Sequence, residues 1–141
     1  MDKLKEQILS AVNIYKSRNL AKAETICKDL MKANPNVVFL YNLLGLILSD
    51  QKKIGDAKKI YEKGIKIDPN FAMIYNNLGL LYKGEGDNEK AVKFYKKSIS
   101  LNKTIAEPHN NLGTVYNSQN KHKEAIDCYK KAILINPKLP Y

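Results

Sequence analysis

Residues 72–105 read AMIYNNLGLLYKGEGDNEKAVKFYKKSISLNKTI, and four copies of this pattern follow one another with a period of 34 residues. No insertion or deletion interrupts the phase. Three columns of the repeat are Ala11, Gly45, Gly79 and Gly113; Ala23, Ala57, Ala91 and Ala125; and Cys27, Tyr61, Tyr95 and Tyr129. A fixed period of this length is typical of a stacked-repeat solenoid, in which each repeat packs on its neighbours.

Each copy divides into two helical segments. In the third copy, apolar residues with helical spacing stop at 84–87 and resume after Asn88, which we predict to be the N-cap of the second helix. The other copies break at 17–19, 51–53 and 118–121. Pro35, Pro69 and Pro137 end the second helices, because proline lacks a backbone donor and disfavours helical geometry in the preceding residue. Lys103 takes this place in the third copy.

The sequence therefore predicts an all-α protein, an α-solenoid of four tandem helix-turn-helix repeats. We place the repeats at 4–37, 38–71, 72–105 and 106–139, within a single domain over 1–141. The small residues of the first helix are expected to meet the alanine column of the second helix where the two cross. The tyrosine column is expected to fill space towards the following repeat.

The formal charge of +10 comes almost wholly from lysine, since Arg18 is the only arginine among 24 basic residues. Arginine is preferred for bidentate phosphate and base recognition, so this composition argues against a nucleic-acid reader. The lysines recur with the period and are expected on the outward side: Lys28, Lys96 and Lys130 in one column, with Glu62 in the second repeat, beside Lys63, Lys97 and Lys131. Such a stripe could attract an acidic partner, a membrane surface or RNA, and it is our secondary hypothesis.

No chemistry-bearing constellation emerges from the sequence. Cys27 and Cys128 are expected to be buried small residues without a disulfide or zinc site, His109 to pack at the head of a helix, and His122 to lie solvated in a turn. No phosphate loop or buried acid pair is evident. We predict no catalysis, no cofactor and no metal. The chain lacks an apolar membrane span and an N-terminal apolar leader segment, so we expect a cytoplasmic location.

The third copy carries a family motif in Tyr75, Leu78, Gly79, Tyr82, Ala91 and Tyr95. This motif resembles that of the tetratricopeptide repeat (TPR) family. The second and fourth copies match closely and the first is degenerate. The resemblance implies a right-handed superhelix whose first helices line a concave groove that holds extended peptides or partner helices.

The resemblance also implies which residues line the groove. They are Asn42, Leu46, Asn76, Asn77, Leu80, Asn110, Asn111 and Thr114. An asparagine amide both donates and accepts, so a ladder of asparagines can pair with a peptide backbone of any sequence. The Asn-Asn-Leu-Gly strings at Asn76 and Asn110 resemble the ladder in the TPR superhelix of O-linked N-acetylglucosamine transferases and their bacterial relatives. The alternative interpretation is that these asparagines support packing between repeats.

We therefore predict a protein–protein interaction scaffold that binds an extended peptide or partner segment in its concave groove. One alternative is the N-terminal substrate-recognition fragment of a larger enzyme of the glycosyltransferase or sulfotransferase type, because residues 138–141 lead towards a further repeat without a capping helix. Another is self-association through the uncapped last repeat.

Overall fold

The computed structural model describes residues 2–139, so Pro140 and Tyr141, which the expectation of a further repeat involves, lie outside the described residues. Within this range the chain is all α. Its helices are α1 Lys3–Lys16, α2 Leu20–Ala33, α3 Val38–Asp50, α4 Ile54–Ile67, α5 Ala72–Gly84, α6 Asn88–Leu101, α7 Ala106–Ser118 and α8 His122–Ile135. The predicted all-α architecture of paired helices is confirmed.

The helices form four hairpins in the predicted phase. The first residues of α3, α5 and α7 are the predicted first residues of the second, third and fourth repeats. The chain divides into two compact units, Met1–Pro69 (unit 1) and Asn70–Tyr141 (unit 2), each with two hairpins. A single domain over 1–141 stays a prediction.

The turn inside each hairpin requires one residue in the left-handed region of backbone space. These residues are Arg18 at φ 66°, Lys52 at φ 64°, Gly86 at φ 83° and Asn120 at φ 60°. They lie one period apart, so the same turn recurs four times in residues 2–139 although only one of its residues is glycine.

The predicted N-cap of α6 is wrong by one residue. Asp87 has non-helical backbone angles, and its carboxylate accepts a hydrogen bond from the backbone N–H of Lys90 at 3.0 Å. Asn88 is already the first helical residue. A short acidic side chain is well suited to this position, because it satisfies an unpaired donor and opposes the positive end of the helix dipole.

The glycine column makes room for tyrosine rings rather than chiefly for the alanine column. A Cβ atom placed on Gly79 would lie 2.6 Å from Cε1 of Tyr95, and one on Gly113 would lie 2.8 Å from Cε1 of Tyr129. Gly45 is closer still to the ring of Tyr61. The tyrosine therefore packs into the hairpin of its own repeat as well as towards the next one.

The core of unit 2 joins successive hairpins around the fully buried ring of Tyr95. Its buried neighbours are Ala91 on α6, Leu112 and Val115 on α7, and Cys128 on α8. In unit 1 the thiol of Cys27 on α2 lies 3.3 Å from the backbone oxygen of Leu40 on α3. Neighbouring hairpins within each unit thus bury one another's apolar faces, which gives the first helices their fixed spacing.

Candidate peptide-binding groove

The predicted groove residues lie on first helices of both units. In unit 1, α3 carries Asn42 and, one turn later, Leu46. Asn42 is buried and engaged by other residues, whereas Leu46 is half-buried. The remaining six residues lie on α5 and α7 of unit 2.

Two asparagines of α5 are almost inaccessible to solvent. Asn76 is 2% exposed and Asn77 is 4% exposed. The side-chain amide of Asn111 on α7 donates to Oδ1 of Asn76 at 3.0 Å, and Nδ2 of Asn76 lies 3.5 Å from Oδ1 of Asn77. These contacts give Asn76 a role in holding α7 against α5. Peptide binding by the asparagines stays a prediction.

The accessible residues lie beside this buried pair. Leu80 follows Asn76 by one turn of α5 and is 41% exposed, while Asn110, Asn111 and Thr114 on α7 are half-buried. The hydroxyl of Thr114 donates to the backbone oxygen of Asn110 at 3.0 Å. These four residues carry no charge, and they combine one large apolar side chain with amide and hydroxyl groups.

The amide of Asn110 is incompletely paired. Its Oδ1 atom is buried, and no donor among residues 2–139 reaches it. A buried acceptor without a donor costs free energy, so this oxygen does not stabilise the fold.

Both histidines have structural explanations. His109 is buried near the head of α7, where its Nε2 lies 3.3 Å from the backbone oxygen of Lys103, and burial lowers its pKa. The predicted packing role is confirmed. His122 is exposed as expected, but it is the first residue of α8 rather than part of a turn, and its Nδ1 lies 3.0 Å from Oδ1 of Asn117.

Unit 1 contains a shielded carboxylate that the sequence analysis missed. The side chain of Glu24 is 14% exposed, with Nζ of Lys28 at 2.5 Å and Nζ of Lys53 at 3.1 Å. The hydrogen bond from Lys28, aided by Gln51 and Lys53, lowers the pKa of Glu24 to about 2. The spacing of Glu24 and Lys28 by one helical turn was the available signal.

Tyr15 and Arg18 make a second polar cluster in the same unit. The Tyr15 hydroxyl donates to Oδ2 of Asp50 at 2.9 Å, and Nη1 of Arg18 lies 2.6 Å from the same oxygen. Burial and the neighbouring carboxylate raise the pKa of Tyr15 to about 12. This cluster joins the ends of α1 and α3, so we assign it a structural role.

Cys27 and Cys128 are buried free thiols whose pKa values are raised by burial, as expected of small core residues. In the part of the chain that the structure describes, no three His, Cys, Asp or Glu side chains gather to hold a metal ion. Within the same residues, none of the helices combines the length and the apolar character that crossing a membrane requires.

Models of the tetratricopeptide repeat match residues 45–86, 72–105 and 106–139. The last two ranges are the third and fourth repeats as predicted from the sequence, and together the three span about two-thirds of the chain. No curated protein matches the sequence.

Solved structures share the fold at low sequence identity. PilF of Pseudomonas aeruginosa superposes with a TM-score of 0.85 at 18% identity, over 97% of this chain and 63% of that protein. TTC0263, a thermophilic TPR protein of Thermus thermophilus, gives a TM-score of 0.84 at 22% identity, over 97% and 76%. A MamA protein gives 0.72 at 27% identity, over 95% and 73%. With its repeat phase, its hairpins and these matches, the chain belongs to the tetratricopeptide repeat family.

Proposed function

We propose that this chain is a protein-binding module, and that the accessible residues of α5 and α7 in unit 2 bind an extended peptide or partner segment. The observation that carries the proposal is the exposed Leu80 beside the half-buried Asn110, Asn111 and Thr114. Tetratricopeptide repeats bind protein partners. The proposal assigns that role to a particular surface of this chain.

The hydrogen bond between Asn111 and Asn76 sets the relative level of the two helices. Leu80 lies one turn beyond Asn76, and Thr114 lies close to one turn beyond Asn111, so the two side chains occupy the same level of adjacent helices. An apolar side chain of a ligand can pack on Leu80 while its backbone reaches the amides on α7. Extended peptides are commonly recognised through this combination of side-chain pocket and main-chain hydrogen bond.

The asparagines divide into two layers under this proposal. Asn76 and Asn77 are the buried support, because they are nearly inaccessible and hydrogen-bonded. Asn110 and Asn111 are the contact layer. Both residues are half-buried, so part of each side chain is accessible to a peptide, and an amide group can donate and accept.

The test uses peptides selected from a random phage-displayed library on the full chain, with affinities measured by isothermal titration calorimetry. Leu80→Asp should weaken binding about tenfold or more, because it places a charge in an apolar contact. Ile126→Asp is the matched control, since Ile126 on α8 is also an exposed aliphatic residue, at 51%. The control should bind like the wild-type chain, and circular dichroism should show that both variants are folded.

An unchanged affinity for Leu80→Asp would contradict the proposed site. So would an equal loss for both variants, because that would place the peptide outside the α5 and α7 surface.

Self-association through the last repeat is a second candidate. Ile126 and Ile133 lie two turns apart on α8, and both are exposed. Light scattering over a concentration series tests this candidate: an apparent mass that rises with concentration supports it, and a strictly monomeric protein excludes it.

A further inference from the structure

The second-helix side of unit 2 carries two recesses that the proposed groove does not use. Recess A is lined by Tyr75, Phe94, Lys93, Lys96, Lys97 and Ser100. Recess B is lined by Ile99, His109, Leu134, Ile135, Lys103 and Lys131. Three positions correspond one period apart: Tyr75 and His109, Lys97 and Lys131, Ser100 and Leu134. The same kind of recess therefore occurs twice, in successive repeats.

The floor of recess A is aromatic. The ring of Phe94 lies 6.5 Å from that of Tyr75 and stacks on that of Tyr82 at 5.3 Å with an interplanar angle of 5°. Nζ of Lys97 lies 5.8 Å from the centre of the Tyr75 ring, and Nζ of Lys90 lies 5.1 Å from that of Tyr82. Cation–π attraction of this kind restrains the Lys97 ammonium group at the rim, whereas Lys90 is not a lining residue and pairs with Asp87 at 3.1 Å.

The apolar lining of recess B is aliphatic and includes an unexpected leucine. Leu134 is 83% exposed. The same column holds Lys32, Lys66 and Ser100 in the other repeats, so the fold does not require an apolar residue there. With Ile99 and Ile135 it forms an apolar surface beside Lys103 and Lys131.

Neither recess contains a carboxylate among its lining residues. Among residues 2–139, no acidic side chain forms an ion pair with Lys93, Lys97 or Lys131. In unit 1, Lys28 pairs with Glu24, whereas Lys96 and Lys130, which occupy the same column in unit 2, form no ion pair among residues 2–139. The lysines that line recesses A and B thus present positive charge around apolar floors without an ion-paired acidic partner among residues 2–139.

We propose that recesses A and B together bind an acidic segment of a protein partner, one that carries apolar side chains between carboxylates. The apolar side chains of the partner pack against the apolar lining of the two recesses, and its carboxylates pair with the rim lysines. The partner is thus complementary to the recesses in charge and in polarity. A nucleic acid fits less well for two reasons. Lysine ammonium groups lie over the tyrosine rings on which bases would stack. The only arginine, Arg18, which would suit phosphate recognition better than lysine, is in unit 1.

Fluorescence anisotropy with labelled synthetic peptides tests this proposal on the full chain. One probe is a short peptide of leucine and glutamate, and the other replaces leucine with serine at the same charge. The rim variant is Lys97→Glu with Lys131→Glu. Its matched control is Lys22→Glu with Lys52→Glu, two exposed lysines of unit 1. The variant of the apolar lining is Leu134→Ser.

The rim variant should weaken the leucine–glutamate peptide about tenfold, and the control, which changes the net charge equally, by less than about twofold. Leu134→Ser should weaken the same peptide several-fold and leave the serine–glutamate peptide unchanged. Leu80→Asp should have no effect, which separates this site from the proposed groove.

Equal losses in the rim variant and its control would overturn the proposal, since general charge attraction would then explain the binding. Equal affinities for the two peptides would overturn the role of the floors. The proposal would also fail if phosphatidylserine vesicles or polyuridylate RNA bound more tightly than the leucine–glutamate peptide and were lost in the rim variant, or if Leu80→Asp abolished peptide binding.

Discussion

Each glycine of the repeating column lies where the ring of a tyrosine packs against the first helix. In the first repeat both positions differ: Ala11 takes the place of the glycine and Cys27 that of the tyrosine, and both residues are fully buried. A larger residue on one helix thus accompanies a smaller residue on the other. Close packing of this kind makes the two columns depend on each other.

Gly79→Ala should therefore destabilise the protein by about 1–3 kcal/mol, because the added methyl group would overlap the Tyr95 ring in a packed core. Gly55→Ala is the control, since a Cβ atom there meets nothing within 4 Å. It should stabilise the protein by about 0.5 kcal/mol through helix propensity. Urea unfolding measures both changes. Stabilisation by both substitutions would show that the tyrosine ring does not need the glycine.

At the scale of the helices, the second helices of the hairpins differ in whether a side chain caps their N-terminus. Asn19 and Asp87 cap α2 and α6 with side-chain hydrogen bonds, whereas Lys53 and Lys121 at the starts of α4 and α8 make none. A lysine at this position neither satisfies the free N–H groups nor opposes the helix dipole.

Lys121→Asp should stabilise the protein by about 1 kcal/mol by supplying this missing cap to α8. Asp87→Ala should destabilise it by a similar amount, about 1 kcal/mol, because α6 loses its cap. Thermal or urea unfolding at neutral pH measures both. Nζ of Lys121 also lies 5.7 Å from the centre of the Tyr116 ring. A Lys121→Asp variant less stable than the wild-type chain would show that this cation–π contact outweighs the cap.

The shielded Glu24 connects α2 to the start of α4, which makes unit 1 sensitive to acid. Its pKa is lowered to about 2 in the folded state, so its stabilisation is present above the ordinary carboxyl pKa and is lost as the pH falls from about 5 to about 2. Glu24→Gln should lower the free energy of unfolding by about 1 kcal/mol at neutral pH, because the carboxylate loses its ion pairs with Lys28 and Lys53. Solvent screens part of this attraction, which keeps the cost small. The difference between wild type and variant, measured by urea unfolding across this range, should shrink towards acid. A difference independent of pH would contradict this assignment.

At the scale of the whole molecule, the sequence predicted the helix positions because period, proline and apolar spacing act locally. The left-handed turn residues were missed, since Arg18, Lys52 and Asn120 carry no glycine signal. The burial of Asn76 could not be predicted from the sequence either. A column of asparagines does not distinguish a side chain that faces a ligand from one that bridges α5 and α7.

The accessible part of the candidate site was predictable only by family resemblance. Leu80 and Thr114 were expected in the groove, and both are accessible in unit 2. The aromatic floor of recess A was not expected, because Tyr75, Tyr82 and Phe94 meet through the packing of α5 and α6. Contacts between helices, rather than local spacing, produce this feature.

The central claim is that a peptide binds on α5 and α7, and an NMR titration of the full, isotopically labelled chain with a library-selected peptide tests it most directly. We predict that the methyl groups of Leu80 and Thr114 and the side-chain amides of Asn110 and Asn111 shift during the titration, while the resonances of Phe94 and Leu134, which line recesses A and B, stay in place. Shifts confined to Phe94, Leu134 and their neighbours, with Leu80 and Asn111 unchanged, would contradict the claim.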